Sequence, residues 1–437
     1  MKKLIKVIFC FCAFVYVIKA YPVPVNALSP VDIVAETAVL IDAETGQILF
    51  EKEKDKPMSP ASVTKILTGL LAVELGDLND VLVASETVPI FGTGINLQAG
   101  EEMTLNDALY ALMLPSANDA GNLIAEYISG SQDEFAKLMN KRAREIGAIN
   151  SNFTNAWGLD QSDHYITAYD MALITREAMN NEVFMEYLSA AQHIIPETNM
   201  SAARSMTNLH LMLVPDSWCY NPDVIGGKIG WWPPTNYTMA TIAQRDGRTL
   251  ICVVFNTGSD EKYSDTQRLL DYGFDQFKQI ELARGVFQSF SVPLIDSGTE
   301  IGESTLSIGD NIPVLVPTGV DVEDLVLEYN VPASIEEDEA FAATVKITIP
   351  SSSEWSVPAY SYTLSAEYLY YETEVSDLED AARLTQNDLT ADSYVINPKA
   401  QGERKAGIEI YLFIPALVAI IFTAIAVACH RKRHKKL

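Results

Sequence analysis

The sequence predicts an α+β chain: a mixed helix and strand domain, then a small all-β domain, then an apolar helix near the C-terminus. Three observations carry this. Residues 32–280 alternate short β-type runs (Ala38 to Asp42, Gly46 to Glu51, Leu250 to Phe255) with amphipathic helical stretches. From 285 to 374 strand signals replace them: Thr344 to Ile349 alternates, Ala366 to Glu372 is rich in Tyr, and turns fall at Ile308 to Asn311 and Pro317 to Gly319. Finally, Ile408 to Cys429 is nearly all apolar and basic residues follow it directly.

At 437 residues with 48% hydrophobic content, the chain is too long for one ordinary domain and too apolar for disorder. There are 31 Lys plus Arg against 58 Asp plus Glu, a formal charge of −27. Both ends are basic, so the acidity concentrates between them. A surface of that sign repels phosphate, and nucleic acid is not an expected partner. Cys10, Cys12, Cys219, Cys252 and Cys429 show no CxxC or metal-ligand spacing, so no metal site and no cofactor are expected. Cys219 and Cys252 are compatible with two idle thiols or one disulfide, and the sequence does not choose.

Lys2, Lys3 and Lys6 precede the apolar stretch Val7 to Ile18, and Val25-Asn26-Ala27 has the small-residue pattern of a cleavage site. Residues 1–27 therefore read as a secretory signal peptide, with a cut after Ala20 or an uncleaved anchor as alternatives. At the other end, 408–429 reaches roughly 33 Å at about 1.5 Å per residue, enough to span a bilayer. The basic tail 430–437 then stays on the cytoplasmic side. Residues 375–407, rich in Asp, Asn, Gln and Ala, read as a polar stalk. The expected location is a bacterial cell membrane, single-pass, with the catalytic domain outside.

The sharpest local signal is Ser59-Pro60-Ala61-Ser62-Val63-Thr64-Lys65. Val63, Ile66, Leu67, Leu70 and Leu71 recur at helical spacing, with Ser59 as the expected N-cap and Pro60 at the first position. Lys65 then lies one turn above Ser62 on the same face, where a deprotonated amine accepts the hydroxyl proton. A free lysine is protonated near neutral pH, so the site must lower its pKa by desolvation and a second cation. Ser116 and Asn118 stand just before another amphipathic helix, where the bland reading is a cap made by Ser116 with Asp119. Gly226-Gly227-Lys228-Ile229-Gly230 suits a strand running past the site, its glycines permitting close approach and Lys228 supplying the second cation.

These three segments, in this order, resemble the penicillin-recognising serine enzymes, and above all the low-molecular-mass penicillin-binding proteins, the D-alanyl-D-alanine carboxypeptidases of bacterial cell walls. The resemblance covers roughly 32–280 and takes in the opening hairpin at Ala38 to Gly46, Asn155 to Leu159 with His164 to Asp170, and Arg245 to Phe274. It implies a β-lactamase/transpeptidase-like fold, an antiparallel sheet flanked by helices. It also implies an acyl-enzyme on Ser62, with Lys65 as base, Ser116 and Lys228 relaying the proton, Asn118 holding the substrate amide, and the backbone N–H groups of Ser62 and Trp231 forming the oxyanion hole. The implied substrate is a peptidoglycan stem peptide ending in D-Ala-D-Ala, and β-lactam antibiotics enter by the same route. No Glu-x-x-x-Asn signature lies between Ser116 and Lys228, which disfavours a β-lactamase.

The sequence departs from the family pattern where Ile229 replaces the usual Thr or Ser, and where Trp232, Thr235 and Asn236 replace Thr, Ala and Gly. Arg204 is out of step with the upstream Arg of some relatives. Carboxylate recognition is the part most affected, and Ile229 motivates an alternative reading as a degenerate protein that binds penicillin or stem peptides with little turnover. Trp231-Trp232-Pro233-Pro234 suits an aromatic wall over the substrate or packing. His164 is expected to orient the loop before a helix capped by Thr167 and Asp170, whereas His193 and His210 read as structural or surface residues.

Overall fold

The computed structural model describes residues 31–371 apart from 86–91, 160–161, 234–235, 338–339 and 350–357. The signal segment 1–27, the stalk 375–407, the span 408–429 and the tail 430–437 lie outside the described residues. No helix among the described residues is long and apolar enough to cross a membrane.

A five-stranded antiparallel sheet forms the centre. Its strands are β1 (Thr37–Asp42), β2 (Ile48–Lys52), β3 (Val224–Trp232), β4 (Asn236–Arg245) and β5 (Arg248–Thr257), in the spatial order β2-β1-β5-β4-β3. The middle strands are buried on both faces, which is why they read as unbroken apolar runs in the sequence. In β1, Val39 and Ile41 enter one hydrophobic core while Ala38 and Leu40 enter a second. In β5, Ile251, Val253 and Phe255 side with the first, and Leu250, Cys252 and Val254 with the second.

The first core is filled by helices α1 (Lys65–Leu75), α2 (Leu105–Met113), α3 (Asn118–Ser129), α4 (Gln132–Ile146), α5 (Ala168–Met179) and α6 (Glu182–Ser189). Local chemistry sets several of their ends. Ser131 caps α4 by accepting from the Glu134 N–H, and Thr167 caps α5 by accepting from the Asp170 N–H at 3.0 Å, as the sequence suggests. On the opposite face, α7 (Glu261–Gln276) packs Leu269, Leu270 and Phe274 into the second core.

That second core continues into the β-rich region. Phe277–Leu282 pairs with Ile312–Pro317, and further strands run at Phe290–Asp296, Thr299–Ser307, Val326–Asn330, Thr344–Thr348, Tyr360–Thr363 and Ser365–Tyr370. Val314, Val316, Leu294, Leu306, Val345 and Ile347 are buried in the same cluster as the outer sheet face, and the described residues fall in one compact unit. A polar staple joins the two regions. In the β1–β2 turn, the buried Gln47 side chain donates to the Leu315 carbonyl at 2.6 Å and accepts from the Leu315 N–H at 2.8 Å.

Truncating Gln47 leaves a buried backbone donor and acceptor without partners, and each such group costs about 1–3 kcal/mol. Gln47→Ala should therefore destabilise the protein by roughly 2–6 kcal/mol. A urea midpoint equal to that of the wild type would show that this staple carries no stability.

Candidate active site

Ser62 lies in a single 3₁₀ turn, Ala61–Thr64, that runs straight into α1. Ser59 is not the cap: Pro60 occupies that position, no side chain caps the turn, and the Ser59 hydroxyl is buried with no partner among the described residues. A tertiary bond sets the entry instead, since the Thr238 hydroxyl on β4 donates to the Pro60 carbonyl at 2.8 Å. The next residue, Ala61, takes a left-handed φ of 49°, a conformation that costs energy for a side chain with a Cβ and clusters at functional sites. The nucleophile candidate is thus fixed by a strained turn clamped to the sheet.

The Lys65 side chain is completely buried. Its Nζ lies 2.9 Å from Ser62 Oγ, 2.8 Å from Asn118 Oδ1 and 2.7 Å from the Trp157 carbonyl oxygen. Two of these three neighbours are obligate acceptors. A neutral amine has two N–H bonds to give them, which leaves its lone pair for the Ser62 O–H. Burial holds the Lys65 pKa well below the usual lysine range, and the nearby Lys228 lowers it further while Asp119 opposes the shift.

The Trp157 carbonyl is invisible in a side-chain motif and comes from the loop 154–159. Asn155 shapes that loop, its Oδ1 accepting from the N–H groups of Gly158 at 2.8 Å and Leu159 at 2.9 Å. Gly158 is held at φ 85°, and a Cβ there would stand 1.8 Å from the Ala61 carbonyl. Only glycine lets the loop come this close to the Ser62 turn.

Ser116 does not cap α3; Ala117 occupies that position without a side-chain bond. Ser116 instead has a left-handed φ of 65°, and its buried hydroxyl has no hydrogen-bond partner among the described residues. A strained backbone that aims an unsatisfied hydroxyl inward is unusual in a purely structural serine. Asp119 is buried and accepts from the N–H groups of Ile95 at 3.1 Å and Leu97 at 3.0 Å, while the Asn118 N–H donates to the Thr93 carbonyl. The start of α3 and the segment 93–97 therefore form one wall beside Lys65.

The segment expected to pass the site is β3, an edge strand. Lys228 pairs with Ala240, whose side chain belongs to the helical core, so Lys228 projects to the side of Ser62 and Lys65. Ile229 pairs with Met239 and packs on the α7 side. The buried Lys228 amine donates to the Ile229 carbonyl at 3.0 Å, and desolvation pushes its pKa down to about 7. A Cβ at Gly230 would stand 2.7 Å from the Ser62 amide nitrogen, so the strand leaves a small cradle beside that N–H. Trp231 follows it with its ring 53% exposed and set against Tyr237.

One residue that the sequence reading missed is Lys262, in the first turn of α7. It is buried, with Nζ 4.0 Å from the Tyr237 ring centre and 4.2 Å from that of Tyr263. This places a cation beside the β3–β4 hairpin on the side where Ile229 faces. Arg204, the residue out of step with the upstream Arg of some relatives, is bound to the buried Glu101 at 2.7 Å. His193 stacks on Tyr110 and faces Asp107, while His210 is buried behind β3 and bonded to Thr241. Cys219 and Cys252 are unpaired thiols.

Lys228 has a folded pKa of about 7 against an ordinary value of 10.5, so between these limits the unfolded chain holds the extra proton. Its contribution to stability is complete above the unfolded value and is lost as pH falls toward 7. The wild type should gain up to about 1.4 kcal/mol per pH unit relative to Lys228→Met as pH rises through this window. Parallel melting curves for the two proteins would show the lysine is not desolvated.

Comparison with known proteins identifies the family. A family model described as D-alanyl-D-alanine carboxypeptidase matches residues 24–259. The chain is 31% identical over 322 residues to D-alanyl-D-alanine carboxypeptidase DacF of Bacillus subtilis, covering 71% of this chain and 81% of that protein. It is 29% identical to DacB2 of Mycobacterium tuberculosis over 248 residues, which are 55% of this chain and 82% of the relative. Penicillin binding protein 5 of Haemophilus influenzae shares the fold with a TM-score of 0.60 at 21% identity, over 77% of this chain and 98% of the other. The chain belongs to the D-alanyl-D-alanine carboxypeptidase family.

Proposed function

We propose that this serine-type D-Ala-D-Ala carboxypeptidase removes the terminal D-Ala from peptidoglycan stem pentapeptides through an acyl-enzyme on Ser62. The observation that carries the reading is the buried Lys65 amine, shared between two carbonyl oxygens and Ser62 Oγ. Ser62 Oγ attacks the carbonyl between the two D-alanines as its proton passes to Lys65. The cradle between the Ser62 N–H and the β3 edge at Gly230 and Trp231 takes the developing oxyanion. Collapse breaks the C–N bond, and the departing amine receives a proton through Ser116 and Lys228. With its pKa near 7, Lys228 exchanges protons readily at neutral pH. Asn118, anchored by Lys65, orients the substrate amide. Water then hydrolyses the ester. A β-lactam follows the first half of the route and stays attached.

The terminal carboxylate needs a counter-charge, and Ile229 has no hydroxyl to offer. Lys262 fills that place in our reading, held between two tyrosine rings next to the hairpin that carries Trp231. A binder without turnover is the less favoured reading, because the relatives matched are carboxypeptidases. D-Alanine release from a peptide ending in D-Ala-D-Ala should vanish in Ser62→Ala, together with the covalent penicillin adduct. Lys262→Ala should keep the adduct but lower kcat/KM for the peptide about 10- to 100-fold. D-Alanine release surviving in Ser62→Ala would overturn the nucleophile, and an unchanged kcat/KM in Lys262→Ala would overturn the carboxylate site.

We further propose that 408–429 anchors the protein in the bacterial membrane, with 28–407 outside and 430–437 inside. The basic cluster after the apolar span supports this orientation. Protease added to intact protoplasts should remove the catalytic unit and spare a C-terminal tag. Loss of the tag would reverse the topology.

A further inference from the structure

We propose that His164 is a positioning residue for acylation: its imidazole fastens the Ser62–Lys65 turn to the loop that offers the Trp157 carbonyl to Lys65. The inference rests on Lys65 as the base. Three hydrogen bonds among the described residues join this turn and α1 to the loop region. Thr68 Oγ1 donates to the Ala156 carbonyl at 2.6 Å, Lys65 Nζ donates to the Trp157 carbonyl at 2.7 Å, and His164 Nε2 meets Thr64 Oγ1 at 3.0 Å. Thr64 lies between Ser62 and Lys65 in sequence, so the third contact holds the backbone between the two reacting residues.

The ring's hydrogen bonds fix its tautomer. Nδ1 lies 3.1 Å from the Thr154 N–H, which can only donate, so Nδ1 accepts. Nε2 therefore carries the proton and donates to the Thr64 hydroxyl. The ring is 1% exposed, with Phe153 edge-on against it, so it has little room to turn. One imidazole thus couples the loop at Thr154 to the turn at Thr64, and the spacing of its two nitrogens sets the distance between them. Without it, the Trp157 carbonyl and the lysine amine are free to drift apart, and displacements of this size are felt strongly in rate.

Glutamine carries an acceptor and a donor separated by one carbon, as imidazole does, and is the rescue variant. Active sites are counted by stoichiometric fluorescent penicillin, so that misfolded protein drops out of the rate. His164→Ala should lower kcat for D-Ala release and the penicillin acylation rate about tenfold, with KM within about twofold because the ring touches no substrate. His164→Gln should recover most of the loss. Thr64→Val should copy His164→Ala, and the double variant should be no slower than either alone. The proposal is overturned by a wild-type kcat in His164→Ala, by no recovery in His164→Gln, or by losses that multiply in the double variant. If His164→Ala does not fold, a wild-type kcat in Thr64→Val overturns it equally. Lys65→Ala measured alongside separates the two ideas: wild-type acylation there removes the base assignment and the proposal with it. An inactive Lys65→Ala beside fully active His164→Ala and Thr64→Val removes the joint alone.

Discussion

A lysine amine acts as a base near neutral pH only when its charged form is kept out of water and its N–H bonds still find acceptors. Much of the local architecture follows from that pair of demands. Burial of Lys65 supplies the first. The second requires a side-chain oxygen from the start of α3 and a backbone oxygen from the loop 154–159 to arrive at one nitrogen. Each delivery has its own support: Asp119 ties α3 to the segment 93–97, and Asn155 folds the loop over a glycine that no other residue could replace. The strained φ at Ala61 and Ser116 falls in the same region, the first in the turn that carries Ser62 and the second two residues before Asn118.

The parts legible in the sequence are those that act through side chains at fixed local spacing. The three-residue step from Ser62 to Lys65 survives whether the turn is 3₁₀ or α-helical, so the pair meets although the cap at Ser59 does not form. Lys228 is legible as the second cation because alternation along a strand determines which face it takes. The Trp157 carbonyl is not legible, because every residue has one and only the folded loop selects it. Lys262 is missed for a different reason: it looks like any charge in the first turn of an amphipathic helix, and only the fold brings Tyr237 of the neighbouring strand over it beside Tyr263.

The same distinction holds for the fold. Unbroken apolar runs at β1 and β5 mark strands covered on both faces, and the sheet confirms it. Strands do run through 285–371, but the first of the β-rich region, Phe277–Leu282, lies before the change of pattern at 285. Nor does the pattern reveal that Gln47, a polar residue in an early turn, is buried against Leu315. A polar side chain in a hairpin turn reads as solvated, and only the partner strand makes it a structural link.

The register of β3 gives the Ile229 departure a physical meaning. Lys228 and Ile229 project to opposite faces of an edge strand, the first toward the reacting groups and the second toward α7. Loss of a hydroxyl at 229 therefore leaves Lys228 in place and bears only on what lies across the strand. On that side the structure places an ammonium between two aromatic rings, where the ring faces attract the cation and its burial weakens competition from water. A neutral donor to a carboxylate acts over one short bond, whereas a desolvated cation acts over a longer range and tolerates looser geometry. Exchange of the hydroxyl for apolar packing at Ile229 is thus compatible with carboxylate recognition when the counter-charge comes from the neighbouring helix, and under that proposal specificity rests on α7 in place of the strand.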